Sequence, residues 1–181
     1  MNQMDGYYLN PMVKIPFPAE ISFVSDKIRE LGLGALVDDF EKSLNRAAES
    51  AAIEAAPIFA NAITGITFND AKNILLGGNG AATNYLRQST YSPLQSAFSP
   101  IIQKNLSNFG VTDKWTYIIN YYNEIPFITK VNPDLAAYTT GKALDGLFVV
   151  VAQEENKIRQ DAKFQVTDLL KQVFGQSTTT K

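Results

Sequence analysis

Apolar residues recur along most of this chain at intervals of three and four, the period of an amphipathic α-helix. Ile21, Val24, Ile28 and Leu31 place a first helix at 18–31, with Pro18 at its first position and "LGLG" as its stop, because glycine takes the left-handed cap conformation. A long alanine-rich helix is predicted over 35–56, with Leu36, Phe40, Leu44, Ala47, Ala51 and Ala55 on one face. Alanine on that face lets a neighbouring helix come close. Pro57 kinks or restarts the helix into "PIFANAI". Thr67 and Asp70 in "TFNDAKNILL" form a start like a capping box, and Gly77-Gly78 is the stop. "AATNYLRQST", 81–90, reads as the next helix. Ser92-Pro93 and Ser99-Pro100 read as cap-plus-first-position pairs that open two more, "PLQSAF" and "PIIQKNLSNF", the second ending at Gly110. Thr112 is expected to cap "DKWTYIINYYNEI", where Trp115, Ile118, Ile119 and Tyr122 make a stripe and Pro126 ends the helix. A second long helical segment covers 132–160, with a break expected near Thr140-Gly141. Thr167 opens a last short helix, "DLLKQVF", closed by Gly175. The strand-like run "FVVV" sits inside a helical frame.

These elements predict an all-α fold, a single-domain helical bundle of about seven to nine helices, two of them long. Residues 1–18 are expected to form a proline-rich extended arm, 19–175 one all-α domain, and 176–181, "QSTTTK", a disordered tail. The three prolines in "DGYYLNPMVKIPFP" each push the preceding residue out of the helical region. Tyr7, Tyr8, Leu9, Val13, Ile15 and Phe17 are too apolar for a solvated tail, so the arm is expected to pack on the helices.

Composition narrows the chemistry more than the fold. The 181 residues contain no Cys and no His. That excludes a thiolate nucleophile, a Ser–His–Asp arrangement, zinc sites built on Cys or His, and His-ligated haem. Acid–base work falls to Asp, Glu, Lys or Tyr. A metal would need an all-oxygen shell, as calcium or magnesium accepts. Sixteen basic residues are interspersed with eighteen acidic ones, for a net charge of −2. Nucleic-acid affinity comes largely from concentrated Lys and Arg, so nucleic acid is not an expected partner. The longest apolar run, "GLFVVVA", is seven residues and too short to span a bilayer. The opening "MNQMDGYYLNP" lacks the basic and apolar regions of an export signal.

"LLGGNGAATNYLRQST", 75–90, has the outline of a phosphate-cradling loop. A Walker loop needs a lysine at fixed spacing and a strand before the glycines. This stretch has neither, so the glycines read as a turn between helices, with a weak anion site at the start of the second helix as the residual functional reading. On the 142–159 helix, Leu144, Leu147, Phe148, Val151 and Ile158 define a buried stripe, and Glu155 lies within it. Arg159 follows one turn on. The pair reads as a partly buried structural ion pair; the functional alternative is a carboxylate of raised pKa in an apolar pocket. Arg46 falls opposite the main face of the second helix, near Asp39 and Ser50, and reads as solvated or salt-bridged. Asn105 falls among Leu94, Phe98, Ile101 and Phe109 if 93–109 is continuous. Asp38-Asp39 and Glu154-Glu155 are neighbours that diverge by a helical step, which suits no shared ion. Arg46, Arg87, Asp145, Glu155 and Arg159 make up a candidate polar cluster. No catalytic, cofactor-binding or metal-binding residue is assigned, and no cofactor is expected.

The blocks "NPMVKIPFP" (10–18), "SLNRAAE" (43–49), "PIFANAI" (57–63), "AATNYLRQST" (81–90), "ALDGLF" (143–148), "EENKIRQD" (154–161) and "TDLLKQVFG" (167–175) resemble, in order, a bacterial family known as domain of unknown function 4197. The resemblance spans nearly the whole chain. Where family members carry a proline and an arginine before the last block, this chain has Ala162 and Gln165. The resemblance implies a periplasmic or cell-envelope protein, with an export or lipoprotein signal and an extra helix before "DGYY". Both are missing here, which implies a trimmed chain. It lends no activity. The expected function is a non-catalytic helical domain that binds a protein partner or supports an assembly, as a monomer or homodimer. A small-molecule or lipid-binding protein is the second reading, with Glu155, Arg159 or Arg87 at the rim of a pocket between helices. A carboxylate-based hydrolase is the third.

If "GGNG" is only a turn, ATP, GTP and NAD will leave the melting temperature unchanged at every concentration in a thermal-shift titration. A concentration-dependent rise with any of the three would identify a nucleotide site.

Overall fold

The computed structural model describes residues 6–127, 129–132 and 134–161. Among them are seven α-helices and no strand. A 3₁₀ turn at Ala19–Ile21 leads into α1 (Ser22–Glu30), α2 (Gly34–Ala52), α3 (Ala55–Thr64), α4 (Phe68–Leu76), α5 (Ala81–Asn108), α6 (Thr112–Asn123) and α7 (Leu135–Gln160). The fold is all-α. The short helix expected at 167–175, the tail at 176–181 and the side chain of Ile118 lie outside the described residues. The described chain divides into two compact units, residues 6–55 with 93–146, and residues 56–92 with 147–161. Helices α5 and α7 each contribute one stretch to either unit.

In the first unit, the residues before α1 are held by one face of α2. Tyr7, Val13 and Ile15 are buried. Residues 41, 45 and 49 stand one turn apart on α2 and pair with backbone groups of this segment. Glu49 accepts the Tyr7 N–H at 3.0 Å. Asn45 accepts the Ile15 N–H at 2.8 Å and donates to the Ile15 carbonyl at 2.8 Å. Glu41 accepts the Phe17 N–H at 3.0 Å, and its other oxygen pairs with Lys14 at 2.7 Å. On α7, the Ala143 carbonyl accepts the Tyr7 hydroxyl at 2.8 Å. Gly146 is glycine because the segment passes close by: a Cβ there would fall 3.0 Å from the Tyr7 ring and 3.1 Å from Val13 Cβ.

This segment decides which face of α2 is buried. Of the expected face, Leu44, Ala47, Ala51 and Ala55 are buried, but its first two members are not: Phe40 is half-buried and Leu36 is 60% exposed. Val37, Glu41, Asn45 and Ala48 are buried beside it. Glu41 and Asn45 are buried because a non-helical segment brings backbone N–H groups that need acceptors.

Helix α5 corrects a second expectation. Pro93 and Pro100 do not start new helices; both lie inside one helix of 28 residues. Each proline removes one backbone hydrogen bond and costs about 3 kcal/mol in a helix interior. Against that, Leu94, Phe98, Ile102 and Leu106 form a fully buried row at four-residue spacing, and burying such a side chain contributes about 1.5–3 kcal/mol. Packing therefore outweighs the two prolines. Asn105 is beside this row, not in it: it is half-buried, its amide donates to the Ile101 carbonyl, and Phe109 is exposed.

Smaller corrections have similar causes. The first helix begins with a 3₁₀ turn and ends at Glu30, leaving Leu31 73% exposed. Thr112 is the first residue of α6, and its hydroxyl oxygen is buried with no hydrogen-bond partner among the described residues, so it does not cap. Helix α7 runs through Thr140-Gly141 without a break. There the Thr139 hydroxyl donates back to the Leu135 carbonyl at 2.7 Å, within the helix. By length and mean hydropathy α7 is long and apolar enough to cross a membrane, and half of that window is buried against the rest of the chain.

Replacing Asn45 with Ala would strand the Ile15 N–H and carbonyl in the interior. At about 1–3 kcal/mol for an unsatisfied buried group, the expected loss is about 3 kcal/mol in a urea melt. A loss under about 0.5 kcal/mol would show that water replaces these bonds readily.

Candidate functional site

The joint between α4 and α5 lies in the second unit, where two helix ends need partners. Helix α4 starts with the expected capping box: the Thr67 hydroxyl accepts the Asp70 N–H, and the Asp70 carboxylate accepts the Thr67 N–H, each at 3.2 Å. None of its residues is buried. After Gly77, the chain turns through Gly78 at φ +70° and Gly80 at φ +84°, a conformation that favours glycine. Helix α5 then begins with N–H groups that have no intrahelical acceptor.

Glu155 supplies the acceptor. One carboxylate oxygen takes the Ala82 N–H at 3.0 Å and the Arg159 Nε–H at 2.8 Å. The other takes the Thr83 N–H at 2.9 Å and the Thr83 hydroxyl at 2.7 Å. Arg159 also donates to the Ile74 carbonyl at 2.7 Å, in the last turn of α4. The pair therefore closes the C-terminal end of one helix and the N-terminal end of the next. Their side chains are only 7% and 9% exposed. Burial alone would raise the Glu155 pKa. The Thr83 hydroxyl, the two backbone N–H groups and Arg159 outweigh it and hold the carboxyl below its ordinary value. A carboxylate so lowered and so fully bonded is a fixed anion, and the helix start that would attract a foreign anion is filled by the chain itself.

The other predicted residues make none of the hydrogen bonds to Glu155. Arg87 is exposed and lies over the Tyr91 and Phe148 rings, 5.6 and 5.2 Å from their centroids. Arg46, half-buried on α2, and Asp145, exposed on α7, belong to the first unit. The paired neighbours diverge as their spacing requires: Glu154 bonds Lys157 and Asp38 bonds Arg29, each at 2.7 Å. Among the described residues, no three acidic side chains gather as a metal shell would need.

A different feature went unread in the sequence. The first unit has an open apolar pocket of about 460 Å³. Ile21 of the 3₁₀ turn and Val24 and Ile28 of α1 form one wall. Phe17, Phe40 and Trp115 form another, with Trp115 stacked on Phe40 at 5.4 Å and edge-on to Phe17 at 5.8 Å. Leu36 and Phe109 stand partly exposed in its lining, and Asp39, Ser43 and Lys114 are its polar members. Glu155, Arg159 and Arg87 are not among the lining residues. The signal available in the sequence was α2 itself. It carries two apolar faces, and Leu36 and Phe40 belong to the second, where Phe17 of the arm meets Phe40 at 5.2 Å between ring centroids and Leu36 stays exposed.

The fold and these features define an all-helical protein with a locked helix joint in one unit and an open apolar pocket in the other. The model of the family described as protein of unknown function (DUF4197) matches residues 1–175, nearly the whole chain, and the chain belongs to that family. No curated protein and no solved structure matches it.

Breaking the joint from one side leaves a buried charge. Arg159→Met is expected to cost about 3 kcal/mol, and the double change with Glu155→Leu to recover part of that loss. If Arg159→Met costs under about 0.5 kcal/mol, the pair behaves as a surface ion pair. Because the folded pKa of Glu155 lies below the unfolded one, its contribution is full above the ordinary carboxylate range. It is lost as pH falls through the folded pKa. Acid titration of the melt should therefore be flatter for Glu155→Gln than for the parent chain in that window.

Proposed function

We propose that this chain is a non-catalytic binding protein, and that the pocket of the first unit takes apolar side chains from a protein partner. One observation carries the reading: a pocket with an aromatic wall opens among exposed apolar residues. Leu36 is 60% and Phe109 52% exposed in its lining. Apolar anchors entering such a pocket are the usual centre of a protein interface. Asp39 is the one carboxylate in the lining among the described residues, whereas a carboxylate hydrolase would want two across a cleft. A small apolar ligand is the second reading, because about 460 Å³ lies within the range of small-molecule pockets. A site in the periplasm or cell envelope, outside the bilayer, belongs to the same proposal and rests on the resemblance noted in the sequence.

Trp115 is the only tryptophan in the chain, so its emission reports on the pocket wall. A photo-reactive residue at position 36 should capture one defined protein in cells, and the same residue at exposed Phe68 should not. Loss of that capture on Phe40→Asp, with the melt unchanged, supports the reading. Equal capture at both positions would sink it. A small molecule retained in native mass spectrometry that quenches Trp115 would move the second reading ahead.

A further inference from the structure

Helix α4 turns an apolar face to solvent. Phe68, Ala71 and Leu75 recur at intervals of three and four and share one side of it. Phe68 is 84% and Leu75 41% exposed, and Leu76 beside them is 72% exposed. Helices shorter than about 12–15 residues are marginal in water unless an apolar face is packed, and α4 has nine. Its described ties are the capping box at its start and the Arg159 bond to the Ile74 carbonyl in its last turn. Among the described residues, nothing covers the stripe.

We propose that this stripe is the docking face for the chain's own C-terminal segment, residues 164–175. The bond that joins α7 to α4 also fixes where that segment sets out. Arg159 is the last residue but one of α7, so the chain leaves α7 beside the last turn of α4. Residues 162–181 follow and lie outside the described residues. Within them Val166, Leu170, Val173 and Phe174 recur at helical spacing, around the stretch where the sequence predicts the last helix. The connection from Arg159 to Val166 reaches up to about 25 Å when extended. Helix α4 is about 14 Å long, so the whole stripe is within that reach. A short tether holds the two apolar stripes at an effective concentration in the millimolar range. A foreign protein would have to compete with that, which makes the chain's own segment the occupant.

The chain has no cysteine, so an introduced pair reports on one contact. Ala71, in the middle of the stripe, and Asn73, on the opposite side of α4, are both exposed. In the full chain, Ala71→Cys with Leu170→Cys is expected to close an intrachain disulfide at least tenfold faster than Asn73→Cys with Leu170→Cys, which has the same tether. Moving the second cysteine to Gln172, on the far side of the segment's helical wheel, is expected to slow closure similarly. Dilution should leave the fast rate unchanged. Equal rates at 71 and 73 would overturn docking, because a loose tether samples both faces. Links only between chains, in a fraction that rises with concentration, would overturn the assignment to the chain's own segment. If neither pair closes, amide exchange of residues 68–76 decides, compared between the parent chain and Val173→Asp. Docking predicts exchange at least tenfold faster in the variant, and identical exchange refutes it.

Discussion

Buried backbone N–H groups outside regular hydrogen bonding must find acceptors, and in this protein carboxylate and amide side chains on two helices provide them. Leaving such a group unpaired costs more than a typical hydrogen bond contributes. In the first unit, Glu41, Asn45 and Glu49 meet that need for the segment before α1. In the second unit, Glu155 meets it for the start of α5. Both sites place a polar side chain where helical periodicity alone would put an apolar one. Each is stabilised there by backbone N–H partners, which lose no side-chain entropy on bonding.

That constraint also marks where the sequence could be read. Helices α3, α4 and α6 end close to where their turn and capping residues indicate, because those signals are local. Thr67 and Asp70 lie three residues apart, and the capping box they form needs nothing else. Glu155 was visible as a charged residue within an apolar stripe, and Arg159 as its partner one turn on. Its targets, Ala82 and Thr83, lie 73 and 72 residues away and were not legible from spacing. The first turn of the expected α2 face departs from the core for the same reason. Leu36 and Phe40 look like core on a wheel until the segment that covers residues 41 and 45 is in place.

The prolines of α5 illustrate a different limit. Ser-Pro is a strong local start signal, and it occurs twice. A helix of 28 residues persists through both because its buried row is set by packing across sequence-distant elements. Local rules rank the alternatives for a short stretch. Tertiary burial of four large side chains decides between them, since it contributes as much as the two prolines cost.

The same division of roles bears on function. A residue whose hydrogen bonds are all satisfied within the fold has little left for chemistry, and Glu155, with four donors on its two oxygens, is such a residue. Strong perturbation of a carboxyl therefore does not by itself mark a site, and the direction of the shift is what separates the cases. A general acid is raised by burial without donors. Glu155 is lowered by donors despite burial. The apolar pocket is the reverse case. Its wall is built from residues of α1, α2 and α6 together with Phe17 and Ile21, and Leu36 and Phe109 remain partly exposed in it. Surface of that type adds nothing to folding where it stays wet, so its free-energy gain is realised only when something else covers it. The saturated polar site thus belongs to stability, and the unsaturated apolar one is what the proposed recognition rests on.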